Sequence, residues 1–274
     1  MKEQIEKEQI DPKIEKEQIE KDKIYNCDCL EGMKHIPNAS IDAIICDLPY
    51  GTTSCEWDSI IPFDALWAEY KRIAKPTAPI ALFCREPFTS MVVQSNLKCY
   101  RHKWVWNKKQ SGSFANAKYM PLQIEEDIIV FSFETPCNYF PIMRKGVYRK
   151  KGGFDKEPDT MKGLNPNHFT FNDDYYPTNI LEYDKERGLH PTQKPVDLLR
   201  YLIRTYSNEG DTILDNCMGS GTTAVACIKE KRHFIGFELN KDYYDKACRR
   251  IDAEIIVRAE RDKNADSCRS FSPK

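Results

Sequence analysis

Short apolar runs alternate with amphipathic segments along most of the chain. Residues Ile41 to Cys46 are too apolar for a loop and too few for a buried helix, so they predict a buried strand. Pro79 to Cys84 predicts a second strand, the alternating stretch Tyr100 to Trp106 a third, and the apolar run Ile128 to Phe133 a fourth. Asp211 to Asp215 and His233 to Glu238 predict two more, each ending in an acid. Between them lie segments of helical period. Leu66, Trp67, Tyr70 and Ile73 share one face of a helix over 64–74 that Asp64 is placed to cap. Val196, Leu198, Leu199, Leu202 and Ile203 mark another, opened by His190-Pro191-Thr192-Gln193-Lys194-Pro195, with Thr192 or Gln193 near the cap and Pro195 in the first turn. Helices are also predicted from Ala224 to Lys229 and through Tyr243, Tyr244 and Ala247 to Ile251. Strand, helix, strand in succession predicts an α/β chain: a mainly parallel sheet, doubly wound by helices on both faces.

Three regions leave this pattern. The sequence Ile-Glu-Lys-Glu-Gln-Ile occurs at 5–10 and again at 14–19, with Pro12 between the copies, so residues 1–23 read as a frayed helix or a disordered extension. Residues 134–189 are rich in Pro, Gly, Asn, Tyr and Lys and predict an irregular insertion between a half over 24–133 and a half over 190–258. The polar residues 259–274 predict a disordered tail.

Composition narrows the class. Of 274 residues, 41% are hydrophobic and 30% charged, which describes a soluble globular protein, and no apolar run is long enough to span a bilayer. The charged N-terminus is no signal peptide, so a cytoplasmic location is expected. Eleven cysteines are scattered without recurring CxxC spacing, so neither a disulfide framework nor a metal site is expected; Cys27 and Cys29 form the one close pair. A formal net charge of −1 leaves room for a local basic patch. Arg144, Lys145, Arg149, Lys150 and Lys151 supply one inside the insertion, interleaved with Tyr139, Phe140, Tyr148 and Phe154. Cations among aromatics suit a segment that tracks phosphates and touches bases.

Two strand ends carry candidate chemistry. After the first strand come Asp47, Leu48, Pro49 and Tyr50: a carboxylate, a backbone carbonyl held extended by the following proline, and an aromatic face. Two acceptors and a stacking surface suit a planar ring with an exocyclic amine. The second constellation is Asp215, the loop Asn216 to Thr223 with Gly219 and Gly221, a helix, and a strand ending at Glu238. Strand, Gly-x-Gly, helix, strand and acid form a nucleotide-binding half, the final acid accepting from ribose hydroxyls. Ala224 is an allowed third small residue for a dinucleotide site, but a carboxylate just ahead of the glycines opposes a pyrophosphate and suits an ammonium group.

Taken in order, Asp47-Leu-Pro-Tyr50, His190-Pro-Thr-Gln-Lys-Pro195, Asp215-x-x-x-Gly-Ser-Gly-Thr-Thr223 and Gly236-Phe-Glu238 resemble the bacterial and phage amino-directed DNA methyltransferases of the β group, in which the catalytic motif precedes the cofactor motif. The resemblance implies a seven-stranded, Rossmann-like methyltransferase fold and S-adenosylmethionine as cofactor. It implies Asp47, Leu48, Pro49 and Tyr50 as the catalytic motif, and Asp28 and Cys29 at the cofactor adenine. It also implies Thr192 and Lys194 at the methionine carboxylate, Asp215, Gly219 and Gly221 at the rest of the methionine end, and Glu238 at the ribose. The insertion would recognise double-stranded DNA, and Asp47 favours N6 of adenine over N4 of cytosine. A homodimer and a cognate restriction endonuclease stay open as partners. An inactive DNA-binding relic is opposed by the intact Asp47, Tyr50, Asp215 and Glu238, and a glutamine- or RNA-directed enzyme by the motif order. Departures from the family pattern are Leu48 for proline, Cys27 for glycine, and Asn216-Cys217 for proline-phenylalanine.

Overall fold

A computed structural model describes residues 19–51, 59–111, 115, 117–151, 170–186 and 193–269. The paired repeats of the N-terminus, Thr192 and Phe154 lie outside these residues, apart from the end of the second repeat at Ile19. The chain divides into a main unit, residues 1–140 with 179–274, and a small unit, Pro141–Thr178.

The main unit is built on eight strands: β1 (Lys23–Tyr25), β2 (Ala43–Asp47), β3 (Ile80–Cys84), β4 (Tyr100–Asn107), β5 (Glu125–Phe131), β8 (Ile180–Glu182), β9 (Thr212–Asp215) and β10 (His233–Phe237). Their order across the sheet is β1-β10-β9-β2-β3-β5-β4-β8. From β1 to β3 all neighbours are parallel, while β5 runs antiparallel to both β3 and β4. The eighth strand is the departure from seven: β8 leaves the insertion and pairs parallel to β4, Val105 against Ile180. Three residues with one buried side chain carry too little periodicity to announce a strand.

Alternation along the strands sends successive side chains into two separate cores. Ile44 and Cys46 of β2, Leu82 of β3 and Leu214 of β9 face α1 (Cys29–Met33), α2 (Phe63–Ile73) and α3 (Phe88–Ser95). Ala43 and Ile45, Ala81 and Phe83, and Ile213 face α4 (Val196–Tyr206), α5 (Thr222–Lys229) and the first turns of α6 (Lys241–Arg269). The doubly wound arrangement follows from runs apolar at every position, since both faces of the central strands are covered. Leu198, Leu199, Leu202 and Ile203 of α4 are fully buried, each worth roughly 1.5–3 kcal/mol.

Helix starts differ from expectation. Pro62, not Asp64, is the N-cap of α2, and Asp64 sits in its first turn. Pro195 is the N-cap of α4. The free amide of Val196 is met by Glu186 Oε1 at 2.9 Å, and Gln193 Nε2 donates to Glu186 Oε2 at 3.1 Å. A carboxylate ten positions upstream of Val196 therefore satisfies the first turn of α4. Helix α6 runs on to Arg269 rather than ending near Ala259, because no glycine or proline interrupts it before Pro273.

The small unit is an antiparallel ribbon, β6 (Arg144–Lys151) with β7 (Thr170–Tyr175). All five candidate DNA-binding cations thus sit on one strand instead of an irregular loop. A strand exposed along nearly its whole length has no apolar period by which to recognise it.

Candidate active site

The chain order reverses between β2 and β9: from β2 the sheet grows through β3, and from β9 through β10. Open α/β sheets leave a crevice at the carboxyl edge of such a point. Here it is a cavity of about 620 Å³ whose wall includes Asp28, Cys29, Asp47 to Tyr50, Lys194, Asp215 to Ser220 and Glu238. Cavities of that size hold small-molecule cofactors.

At one end, Asp47 closes β2. Its Oδ1 accepts the Tyr50 hydroxyl at 2.8 Å and its Oδ2 accepts from Lys194 Nζ at 2.6 Å. The same ammonium lies 3.2 Å from Glu126 Oε2, and Glu126 Oε1 accepts from Lys108 Nζ at 2.9 Å. Burial pushes the Asp47 carboxyl above its usual range, with Lys194 opposing and Glu126 adding to the rise. Glu126 also suffers burial, but Lys194 and Lys108 outweigh it and hold its carboxyl below the usual value. Lys194 is held above the ordinary lysine value: burial works against its charge, and the two carboxylates prevail. Tyr50 packs on Phe88 with ring centroids 5.1 Å apart, so one flat neighbour of the tyrosine is already in place. Leu48 is buried.

At the other end, Asp215 closes β9. Its Oδ2 accepts from Thr223 Oγ1 at 2.6 Å and its Oδ1 from the Cys217 amide at 3.1 Å. Burial nevertheless pushes its carboxyl up to about 6. Gly219 takes a left-handed φ of 54°, and a Cβ there would meet nothing within 4 Å; Gly221 has φ 79° and lies where a Cβ would come 3.1 Å from that of Ala247. One glycine therefore leaves the loop open toward the cavity, and the other lets it lie against α6. Glu238, one residue past β10, accepts from the Gly219 amide at 2.7 Å and the Asn240 amide at 2.8 Å; burial raises its carboxyl and these bonds oppose the rise. A carboxylate offers about four acceptor sites, so two remain for a diol. Asp28 caps α1, its Oδ1 accepting from Leu30 and Glu31 amides. Cys29 is buried behind it, and the Asn216 amide nitrogen lies 3.7 Å from its sulfur and 3.5 Å from that of Cys217. The Asn216 side-chain oxygen accepts the buried Tyr70 hydroxyl at 2.6 Å. Anionic, open-backbone and diol-ready elements in one cavity fit S-adenosylmethionine, whose ammonium and ribose hydroxyls call for acceptors of this kind.

Of the residues singled out in the sequence, Asp28, Cys29, Asp47, Leu48, Pro49, Tyr50, Lys194, Asp215, Gly219 and Glu238 line this one cavity. Lys194 reaches Asp47 and Glu126 within it. Sequence reading missed Glu126 and Lys108. The three acids Glu125, Glu126 and Asp127 stand just ahead of the apolar run at Ile128, and because β5 is antiparallel its beginning lies at the edge where β3 ends, Asp127 against Cys84. A signal was present, but it needed the strand direction to be read.

On the ribbon, Lys145, Lys151 and Arg144 are engaged by its own acceptors. Lys145 pairs with Asp173 at 3.0 Å and Asp174 at 2.7 Å; Lys151 bonds Asn172 Oδ1 at 2.7 Å and the Asp174 carbonyl. Arg149 lies over the Tyr175 ring at 5.3 Å, and Arg144 donates to the Tyr176 carbonyl at 3.3 Å. Tyr148, Phe171 and Tyr176 are exposed.

No helix among the described residues is long and apolar enough to cross a membrane. Among them, no group of three or more His, Cys, Asp or Glu is arranged to hold a metal ion. Comparison with known proteins agrees with the geometry. The type II methyltransferase M.HpaI of Haemophilus parainfluenzae is 30% identical over 239 residues, 82% of this chain and 73% of that protein. The DNA adenine methyltransferase YhdJ of Escherichia coli K12 is 30% identical over 267 residues, 86% of this chain and 85% of its own. The crystal structure of the M1.HpyAVI–SAM complex superposes with a TM-score of 0.57 at 25% identity, covering 83% of this chain and 98% of that one. Residues 41–249, which hold both strand-end acids and the glycine loop between them and α6, match the N6/N4 DNA methylase family, and the chain belongs to it.

Proposed function

We propose that this DNA methylase transfers a methyl group from S-adenosylmethionine to the N6 amine of adenine in double-stranded DNA. One observation carries the reading: an acid with two oriented hydrogen bonds, Asp47, shares a cavity with the Asp215 to Glu238 wall. Bound there, S-adenosylmethionine supplies an electrophilic methyl group on a sulfonium. The target amine is a poor nucleophile because its lone pair is delocalised into the ring. Asp47 and the Leu48 carbonyl accept its two N–H bonds, which favours a pyramidal nitrogen with its lone pair directed at the methyl. As positive charge develops on that nitrogen, the Asp47 carboxylate stabilises it, and the nitrogen then loses one of its two protons to leave the neutral methylamine. Tyr50 fixes Asp47 through its hydroxyl and offers its ring to the base. Since the amine lies inside the duplex, the base must leave the stack to reach this cavity.

Adenine is favoured over cytosine by the acid at position 47, and the relative named as a DNA adenine methyltransferase supports it. Incubating mixed-sequence duplex with labelled cofactor and hydrolysing it to nucleosides tests the choice. Label in N6-methyladenine is expected; label in N4-methylcytosine refutes it.

The ribbon is proposed as the DNA-recognition element, since a two-stranded ribbon fits the major groove. Replacing any three of Arg144, Lys145, Arg149, Lys150 and Lys151 with alanine should lower the salt slope of DNA binding by about two to three units while cofactor affinity stays unchanged.

A further inference from the structure

We propose that Lys194 is a positioning residue for the catalytic carboxylate: its ammonium fixes the orientation and charge of Asp47, and Glu126 and Lys108 fix the ammonium. The proposal rests on the reading of Asp47 as the acceptor of the target amine, and it gives Lys194 a role other than holding the methionine carboxylate.

The geometry is a buried chain of alternating charge. Lys108 meets Glu126 at 2.9 Å, Glu126 meets Lys194 at 3.2 Å, and Lys194 meets Asp47 at 2.6 Å. Lys194 and Lys108 are nearly inaccessible. Each comes from a different part of the fold: Lys108 just after β4, Glu126 from β5, Lys194 just before α4, and Asp47 from the end of β2. An isolated buried ammonium is costly, so four groups in such an order are stable only together. With Lys194 on Oδ2 and Tyr50 on Oδ1, the carboxylate plane of Asp47 is set from both sides, and each oxygen keeps one acceptor direction. One of those must face the amine.

Charge count gives the second half. Two acids and two cations balance. The groups facing Asp47 are Tyr50 beside it, Cys46 on β2, Cys84 on β3, Glu126 on β5, Lys194 ahead of α4 and Asp215 on β9. Lys194 is the one cation in this set. Remove it, and Glu126 retains Lys108 while Asp47 loses the ammonium that pairs with it. The protonated form of Asp47 is then favoured, which turns one of its oxygens from acceptor to donor and removes the negative charge that the amine meets. Remove the Glu126 charge instead, and Lys194 serves Asp47 alone. The two changes push the ionisation of Asp47 in opposite directions.

The test is the pH profile of kcat at saturating cofactor and DNA, with cofactor affinity measured alongside by calorimetry. Lys194→Met should lower kcat at pH 7.5 at least about 30-fold and move the acid limb up by about one pH unit or more. Its cofactor affinity should change less than about threefold, and Lys194→Arg should restore the limb. Glu126→Gln, nearly isosteric and a second test if the methionine variant does not fold, should move the limb downward. A loss of cofactor affinity of tenfold or more in Lys194→Met, with kcat and limb unmoved, overturns the proposal and returns Lys194 to the methionine carboxylate. Limbs that stay in place, or shift the same way in both variants, also overturn it. A wild-type protein that methylates no DNA overturns the underlying reading of Asp47 instead.

Discussion

Asp47 and Asp215 end adjacent parallel strands and face the same cavity, Asp47 half-buried and Asp215 buried, yet the fold treats them differently. Asp47 comes with its own cation at 2.6 Å. Asp215 is satisfied by a hydroxyl and a backbone amide, and among the described residues no cation pairs with it. A charge compensated in advance stays ionised and can be aimed, which is what an acceptor for an amine requires. A charge left uncompensated costs stability until a ligand brings the missing ammonium. The two strand-end acids thus stand in two electrostatic states, one paired with an ammonium and one held by neutral donors.

The sharpest way to break this contrast is to neutralise each acid in turn. Asp47→Asn should cut methyl transfer by about 10²–10³-fold, the scale of losing one preorganised electrostatic group, while cofactor affinity moves less than about threefold. A mutant that keeps its turnover would remove Asp47 from the chemistry. Asp215→Asn should show the reverse pattern, weakening S-adenosylmethionine binding by roughly 1.5–3 kcal/mol in calorimetry with DNA binding retained. The same variant should gain stability. Its carboxyl is raised from 3.8 to about 6 in the fold, so the native state holds that proton more tightly than the unfolded chain. Ionised Asp215 therefore costs stability at pH 8, and the cost fades as pH falls through 6 toward 4. Denaturant titration should find Asp215→Asn more stable by roughly 1–3 kcal/mol at pH 8 and nearly neutral at pH 4.

The smallest effect sharpens the comparison within the unmodified protein. Cofactor affinity should decline as pH falls below about 6, by up to tenfold per unit, because protonated Asp215 no longer attracts the ammonium. In Asp215→Asn that dependence should flatten. An equally steep decline in the variant would move the titration to Glu238, the other carboxyl raised by burial on the same wall.

How far the sequence revealed this depends on the range of the interaction. Asp47, Asp215 and Glu238 were legible because each follows an apolar run whose length and composition announce a buried strand, and the glycines between two of them mark a cofactor loop. Lys194 was found as a residue but not as the partner of Asp47, since that contact joins positions 147 apart. Glu126 was missed for a related reason: its place in the site depends on β5 running antiparallel, which no local pattern states. Glu186 capping α4 is likewise a pairing between segments. The ribbon and the end of α6 escaped because neither sequence repeats apolar residues at strand or helix spacing, and without that the period that identifies an element is silent.

The seam between β2 and β9 has a consequence for how the protein is made. Asp42 and Thr212, bonded across it at 2.9 Å, are 170 positions apart, so β2 leaves the ribosome long before β9 exists. At 5–20 residues per second, the 147 residues separating Asp47 from Lys194 take roughly 7–30 s to synthesise. For that interval β2 presents an unpaired apolar edge, and its terminal acid has no counterion. The nascent chain is thus most exposed to aggregation along the seam that borders the cavity, and co-translational protection by a chaperone would matter most before α4 emerges.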